Sequence, residues 1–261
     1  MSAFPTIFLS HGSPMLALQD SPARRFLQGL GASLGRPQSI LVVSAHWESA
    51  GAPALSLAPQ PGTIHDFGGF PRALFEMRYP APGAPALAQR AAALLEAAGL
   101  RAGLSPERGL DHGAWVPLSL MYPQADIPVT QLSVLRDRGP LEHERLGLAI
   151  AALRQEGVLV VGSGSLTHNL YEIRGQGVDA PAPHWVSEFE AWMQARLEGS
   201  EREALLGYRA LAPFAEKNHP TDEHLLPLFV AMGAAGAQAR ATRLHASVEH
   251  GVLAMDAYAF A

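Results

Sequence analysis

Three histidines in this chain each follow an apolar run, after a short segment rich in small and polar residues. His11 follows residues 6–9, His46 follows residues 40–43, and His168 follows residues 158–161 and a loop of glycine and serine. Short apolar runs bounded by turn signals are typical of strands buried on both faces. Open α/β sheets bind ligands at the carboxyl ends of their strands. The pattern therefore predicts a metal site or an acid–base site at one sheet edge.

A metal site in this chain would have to use histidine, aspartate or glutamate, because the sequence contains no cysteine. We favour His11 and His46 as ligands over simple strand-end capping, since imidazole suits zinc and iron. A metal that acts on a substrate keeps open positions around three protein ligands. The segment 219–224 offers candidates for the third: His219, Asp222, Glu223 and His224.

The sequence leaves the choice among these four residues open. Asp222 and Glu223 would equally suit the first turn of a helix that is predicted at 225–232 and capped by Thr221. His224 would also lie in that first turn, where the positive end of the helix dipole favours a neutral, metal-bound imidazole. His219 could instead orient a neighbour from outside the ligand shell.

The other histidines have different expected roles. His168 lies in a small-residue loop, and an ordinary histidine pKa of about 6.5 suits proton transfer at neutral pH; the alternative is helix capping together with Asn169. His65 and His112 lie in glycine-containing loops, where they could bind an anionic oxygen or simply bond to a backbone carbonyl. We expect structural roles for the remaining histidines that were considered: His143, His184, His245 and His250.

The elements that must position these residues alternate between strand and helix. Strands are predicted at 4–9, 39–45, 54–57, 126–134 and 158–161, with closing strands within 243–248 and 251–258. Helices are predicted at 22–30, 84–98, 115–121, 140–155, 185–197, 201–212 and 225–232. This order indicates the α/β class. No linker or repeat is visible, so we expect one domain over residues 1–261.

Composition narrows the function classes. Hydrophobic residues make up 48% of the chain and charged residues 16%, which favours a compact enzyme-like body. The net charge of −5, without a basic cluster, argues against a nucleic-acid partner. No apolar run reaches bilayer length and no signal peptide is visible. We therefore expect a cytoplasmic protein with no membrane partner.

Six motifs in order along the chain resemble those of the class III extradiol ring-cleaving dioxygenases, in the branch of the DOPA dioxygenases. The resemblance covers residues 4 to about 255. The motifs are HGSPM (11–15), SAHW (44–47), IHDFGGFP (64–71), DHGAW (111–115), SGSLTHNL (163–170) and TDEHLLPL (221–228).

The resemblance implies a fold and a set of site residues. The fold is α/β, with a central mixed, mostly parallel sheet flanked by helices. A single metal, Fe(II) for turnover and zinc as isolated, would be held by His11, His46 and His224. The class otherwise uses two histidines and a glutamate, so Glu223 is the alternative third ligand. His168 would be catalytic, or a fourth ligand in a resting zinc form.

The resemblance also implies how a substrate is handled. His112 would be catalytic and bind substrate and oxygen, while His65 would help to bind substrate. The reaction is then ring opening of a DOPA-like or protocatechuate-like catechol by O2, with His168 or His112 transferring the proton. Phe67, Phe70 and Trp115 could sandwich the ring or form ordinary core. A zinc-dependent hydrolase and a non-catalytic ligand-binding member of the fold remain alternatives. The native catechol and the oligomeric state stay open.

Overall fold

An eight-stranded mixed sheet forms the centre of the protein in the computed structural model, which describes residues 3–261. The strand order is β4-β3-β5-β2-β6-β1-β10-β7, and β8 and β9 form a separate hairpin. The strands are β1 (Thr6–Ser10), β2 (Ser39–Ser49), β3 (Ala54–Ser56), β4 (Gly103–Ser105), β5 (Val129–Leu135), β6 (Val158–Gly164), β7 (Ala241–His245), β8 (Val248–Glu249), β9 (Leu253–Ala254) and β10 (Ala257–Phe260).

The four central strands, β5, β2, β6 and β1, run parallel to one another. Strand β10 pairs antiparallel with both β1 and β7, and β3 pairs antiparallel with β5. The sheet is therefore mixed and mostly parallel at its centre, and the predicted fold class is confirmed. Because parallel strands share one direction, the residues that follow β1 and β6 meet at the same edge.

Helices cover both faces of this sheet. They are α1 (Pro22–Leu34), α2 (Arg72–Glu76), α3 (Pro85–Ala97), α4 (His112–Met121), α5 (Pro140–Ile150), α6 (His184–Glu198), α7 (Arg202–Leu206), α8 (Tyr208–Leu211), α9 (Ala215–Asn218) and α10 (Leu226–Ala235). Short 3₁₀ helices occupy Pro14–Ala17, Ala151–Glu156 and Leu170–Glu172. In the part of the chain that the structure describes, no helix combines the length and apolar character needed to cross a membrane.

Strand β2 shows why the central strands are apolar throughout. Leu41 and Val43 pack into the core on one side of the sheet, and Ile40 and Val42 pack into the core on the other. Successive side chains of a strand point to opposite faces, so a sheet covered on both faces needs apolar residues at every position. The apolar runs that predicted these strands therefore have a direct structural cause.

Several predicted boundaries were wrong, and the most important concerns His46. Strand β2 does not end before His46 but continues to Ser49. Its register against β5 shifts between Ser44 and Glu48, so residues 45–47 have no partners on that strand. His46 is thus carried by a bulge, a feature that re-aims side chains next to functional sites. Local apolar pattern does not reveal such a shift, because it depends on the partner strand.

Helix boundaries also differ from the prediction. Helix α1 continues past Gly31 to Leu34. Gly31 allows close packing on α4 rather than ending the helix, since a Cβ there would lie 2.0 Å from the carbonyl oxygen of Met121. Helix α4 begins at His112, three residues earlier than predicted, since Asp111 caps it by accepting from the backbone N–H of Ala114. The single helix predicted at 201–212 is two short helices, α7 and α8, with Gly207 between them.

Thr221 does not cap α10, contrary to prediction. Helix α10 begins at Leu226, its N-cap is Leu225, and no side chain bonds to its free N–H groups. The Thr221 hydroxyl donates instead to Oε1 of Glu223. His224 therefore precedes the helix rather than lying in its first turn, and the helix-dipole argument for its protonation state does not apply.

Candidate active site

Five histidines from five separate segments converge on one cavity of about 400 Å³. His11 follows β1, His46 lies in the bulge of β2, His112 begins α4, His168 follows β6, and His224 precedes α10. The ring centroid of His11 lies 4.8 Å from that of His46 and 5.5 Å from that of His224. The sheet edge predicted from the sequence therefore brings these imidazoles together.

His11, His46 and His224 form a compact set of nitrogen donors. Nε2 of His11 lies 2.9 Å from Nε2 of His46, and the ligand atoms of the three residues all lie within 4.8 Å of one another. Metal–nitrogen bonds of about 2.1 Å place neighbouring ligand atoms roughly 3.0–3.4 Å apart. Nε2 of His224 is buried and has no hydrogen-bond partner. The separation of His11 and His46 is that of two ligands on one metal ion, and the unpartnered Nε2 of His224 is the third donor that this set offers.

The electrostatics of this cluster favour neutral rings. Burial, followed by repulsion from the neighbouring imidazoles, lowers the pKa of both His11 and His224 well below the ordinary value. Burial and His112 lower the pKa of His46 to about 4, although nearby carboxylates oppose the shift. A metal binds only the neutral imidazole, so these rings do not have to lose a proton at neutral pH before binding.

Hydrogen bonds fix which nitrogen of each ring faces the cluster. Nδ1 of His11 lies 3.0 Å from Oγ of Ser163, whose hydroxyl donates to the carbonyl of Gly113 at 2.5 Å. His11 is therefore the donor to Ser163, and its Nε2 carries the free lone pair. Nδ1 of His224 lies 2.8 Å from Oε1 of Glu223. Partners of this kind orient metal-binding histidines.

A buried carboxylate, Asp111, supports the bulge that carries His46. It accepts hydrogen bonds from Ser44 at 2.7 Å, Arg108 at 2.7 Å and Gln131 at 2.8 Å, and it caps α4. Arg108 also donates to the backbone carbonyl of His46 at 3.3 Å. This support was not predicted from the sequence. An aspartate directly before a small-residue segment is a cap signal, but no local pattern indicated Arg108.

Close approach of α4 to the bulge depends on Gly113. A Cβ at this position would lie 2.6 Å from Oγ of Ser44 and 3.1 Å from Cδ2 of His46. A side chain there would displace both residues. The glycine that follows His112 in the motif is therefore explained by packing against a proposed metal ligand.

Asp66 connects His112 to His46, a role that the sequence analysis did not assign to it. Oδ1 of Asp66 accepts from the backbone N–H of His112 at 2.9 Å. Its Oδ2 lies 3.0 Å from Nδ1 of His112 and 3.6 Å from Nδ1 of His46. Burial opposes ionisation of this carboxyl, but the hydrogen bonds and charge of His112 lower its pKa to about 2. Asp66 is thus an anion held beside the cluster.

His168 stacks on His224, with ring centroids 3.4 Å apart and planes 10° from parallel. Burial, then repulsion by His219, lowers the pKa of His168 to about 3. His219 lies behind this pair rather than in the cluster. Its Nε2 lies 2.8 Å from the carbonyl oxygen of Leu166, so it holds the loop that carries His168. This arrangement matches the option in which His219 orients a neighbour.

Of the six histidines that the resemblance assigned to the site, His65 is the one that does not line the cavity. Its Nε2 lies 3.1 Å from the carbonyl oxygen of Met77. Of the three aromatic residues considered for the substrate ring, Phe67 and Phe70 line the cavity. Trp115 is fully buried in the core and donates from Nε1 to the carbonyl of Ile64.

The histidines that were expected to be structural lie outside the cavity. His143 is fully buried, with Nδ1 2.8 Å from the carbonyl oxygen of Gly139 and Nε2 accepting from the backbone N–H of Leu135. His245 lies 2.8 Å from the hydroxyl of Ser247.

Comparison with known proteins shows the family to which the chain belongs. Residues 5–260 match the family model described as the catalytic LigB subunit of aromatic ring-opening dioxygenase. The chain is 43% identical to 4,5-DOPA dioxygenase extradiol of Beta vulgaris, over 98% of this chain and 96% of that protein. It is also 43% identical to 4,5-DOPA dioxygenase extradiol of Escherichia coli K12, over 96% of this chain and 92% of that protein.

A solved structure shares the fold. The crystal structure of an uncharacterized protein from Escherichia coli K12 superimposes with a TM-score of 0.82 and 36% sequence identity, over 99% of this chain and 100% of that one. Together with the family match over almost the whole length, this similarity establishes the relationship. The chain belongs to the LigB family and is an extradiol aromatic ring-opening dioxygenase, an oxidoreductase.

Proposed function

We propose that this enzyme opens the ring of a catechol with O2, using one metal ion bound by His11, His46 and His224. One observation carries the proposal most directly: three neutral imidazoles from distant segments present ligand atoms within 4.8 Å of one another. The names of the relatives support a DOPA-like catechol as the substrate class, with a protocatechuate-like one as the alternative. Residues 1–261 act as one catalytic domain.

Fe(II) is the proposed metal for turnover, and zinc is the one that we expect to find in protein as isolated. When bound, Fe(II) would supply a centre that holds the two oxygens of a diol beside dioxygen. The donor set suits either metal, because imidazole nitrogen is a good ligand for both. Glu223 supports His224 from behind rather than replacing it in this proposal, since its Oε1 is directed to Nδ1 of His224.

His112 and His168 are the proposed proton-transfer residues. Both line the cavity beside the three ligands. Asp66 is anionic at neutral pH and lies 3.0 Å from Nδ1 of His112, so it stabilises positive charge on that ring when the ring takes a phenolic proton. Burial lowers the pKa of His168, so its ring is neutral at neutral pH and one ring nitrogen is free to accept a hydrogen bond from a phenolic hydroxyl. In a resting zinc form it could instead be a fourth ligand.

The cavity wall is suited to a flat ring. Phe67, Phe70, Ile173 and Leu253 line it, so apolar side chains contact the substrate and exclude water. His65 lies outside this lining, so we propose that it supports substrate binding indirectly. It would position the loop that carries Asp66 and Phe67.

The central experiment is metal analysis followed by an oxygen-electrode assay. Protein loaded with Fe(II) under anaerobic conditions is mixed with DOPA or protocatechuate, and oxygen uptake and the yellow ring-opened product are followed. We expect uptake that depends on Fe(II). Absence of uptake and of yellow product across a panel of catechols would contradict the proposal.

The alternatives give different results in the same preparation. A zinc-dependent hydrolase would be active with zinc and would not need oxygen. A non-catalytic ligand-binding protein would bind no stoichiometric metal, and His46→Ala would leave its ligand binding intact. No specific contact in the cavity favours either alternative over the dioxygenase.

A further inference from the structure

The backbone of His46 lies outside the regular pairing of the sheet. Strand β2 pairs with β6 only as far as Ser44, and with β5 up to Ser44 and again from Glu48. Residues 45–47 therefore face no partner residue on either neighbouring strand. Because backbone N–H and C=O groups need hydrogen-bond partners, other groups must hold this segment in place.

Two side chains take the place of the missing strand partners at His46. Its backbone N–H donates to Oγ of Ser44 at 3.2 Å, and its carbonyl accepts from Nη2 of Arg108 at 3.3 Å. Both side chains are bonded to one buried carboxylate, since Ser44 donates to Oδ1 of Asp111 and Arg108 donates to Oδ2, each at 2.7 Å. These hydrogen bonds form a closed ring, which we call the His46 clamp: Ser44, His46, Arg108 and Asp111.

Arg108 is itself fixed within the clamp. Its guanidinium carbon lies 5.0 Å from the ring centroid of Trp47, the next residue of the bulge, and its ion pair is made with a carboxylate that is fully buried. Nε of Arg108 is buried and has no hydrogen-bond partner, so the contacts with Asp111, His46 and Trp47 hold the guanidinium in place. Arginine suits this task because its planar head both donates hydrogen bonds and stacks on an aromatic face.

We infer that Arg108 is a positioning residue for the proposed metal ligand His46. The clamp holds the backbone of the bulge at both its N–H and its carbonyl, and this limits where the imidazole can point. Asp111 also caps α4, which begins at His112, so the clamp fixes His46 relative to His112, whose ring centroid lies 3.9 Å away. The inference rests on the proposed function, which makes His46 a metal ligand.

The zinc affinity of the full chain, measured by competition with a chelator, tests this role without turnover. Arg108→Met keeps much of the apolar stem and removes the guanidinium, so we expect zinc to bind about 10–100-fold more weakly. Arg108→Lys keeps a cation beside Asp111, but its chain is shorter and has no planar face for Trp47, so its affinity should be intermediate. The matched control is Arg36→Met. Arg36 also donates to a carboxylate and a backbone carbonyl, those of Asp126, but on the surface, and its loss should leave zinc affinity unchanged.

Cobalt(II) in place of zinc reports the geometry of the site. The visible absorption of bound Co(II) depends on the number and arrangement of its ligands. Arg108→Met should therefore change the spectrum, and Arg36→Met should not. Thermal unfolding of the metal-free variants shows whether each one still folds.

Ser44→Ala removes the other half of the clamp. It takes away the partner of the His46 N–H, so we expect it to weaken zinc binding as well. Because Ser44 and Arg108 act through the same carboxylate, the loss of affinity in the double variant should be smaller than the sum of the two single losses, both expressed as free energies.

The outcomes are distinct. Wild-type zinc affinity and an unchanged cobalt spectrum in Arg108→Met, with or without a loss of thermal stability, would overturn the inference and leave the proposed function standing. If neither Arg108 variant folds, Ser44→Ala decides, and wild-type zinc affinity in that variant overturns the inference. Zinc binding that depends on Arg108, in a protein that takes up no oxygen with any catechol, supports the clamp and contradicts the proposed reaction. A wild type that binds no stoichiometric metal overturns both.

Discussion

Nδ1 of His224 lies 2.8 Å from Oε1 of Glu223, which leaves Nε2 of His224 buried, unpartnered and facing the other histidines. His224 is therefore the proposed ligand, and Glu223 is the partner that orients it. This relationship bears on the choice between His224 and Glu223, since a carboxylate bonded to the back of a histidine is a recurrent feature of metal sites.

Substitution of each residue distinguishes the two roles. We expect Glu223→Gln to weaken zinc binding by about 10–100-fold, because the amide still accepts from Nδ1 but carries no charge. His224→Ala should weaken binding more than that, since it removes a donor atom. Competition with a chelator measures both affinities. His184→Ala, which changes an exposed histidine outside the cavity, is the control. A larger loss in Glu223→Gln than in His224→Ala would make Glu223 the ligand.

Asp66→Asn tests the proposed proton transfer at His112. The variant keeps an oxygen to accept from the backbone N–H of His112 but removes the anion beside its ring. We expect kcat to fall by about 10²-fold with KM for the catechol unchanged, because the lost interaction develops during proton transfer. Steady-state oxygen uptake measures both constants. Asp179→Asn is the matched surface control, and a change confined to KM would assign Asp66 to substrate binding instead.

The free energy of unfolding should depend on pH through the protonation of Asp256. Burial, then repulsion by Glu190, raises the pKa of Asp256 from 3.8 to about 7, against the attraction of Arg243. Between these values the folded protein holds a proton that the unfolded chain has released. The contribution is therefore fully present below pH 3.8 and is lost as the pH rises through about 7.

Asp256→Asn isolates this contribution, because the amide resembles the neutral acid at every pH. We expect the free energy of unfolding of the wild type to decline between about pH 4 and pH 7, and the decline to be smaller in the variant. Urea denaturation at several pH values measures it. Asp20→Asn, at an exposed aspartate, should keep the wild-type slope. Equal slopes in wild type and Asp256→Asn would contradict the prediction.

The packing of α5 on α10 depends on two glycines. A Cβ on Gly147 would lie 2.2 Å from the carbonyl oxygen of Val230, and one on Gly233 would lie 2.1 Å from that of Glu144. We expect Gly147→Ala to lower the free energy of unfolding by about 1–3 kcal/mol, because the helices must separate.

The control for that change is Gly29→Ala in α1, where nothing lies within 4 Å of the new Cβ. Alanine should stabilise this helix by about 0.5–1 kcal/mol, because glycine loses more conformational freedom on folding. Urea denaturation compares both variants. Stabilisation of similar size in the two would show that the α5–α10 contact tolerates a methyl group.

The sequence by itself determined the buried strands, the α/β class and the histidines that are candidates for the site. Apolar runs such as residues 40–43 are a local signal, because a strand covered on both faces needs an apolar residue at every position. The absence of cysteine limited metal ligands to three residue types. The spacing of motifs supplied the family resemblance that the comparisons then established.

Only the tertiary structure decided how these residues meet. The bulge at His46 and the pairing of Asp66 with His112 each depend on segments that are far apart in the chain. Their geometry follows from strand register and from the packing of whole elements, which no local pattern encodes. The same reason explains why Thr221 does not cap α10 and why His65 bonds to Met77 outside the cavity.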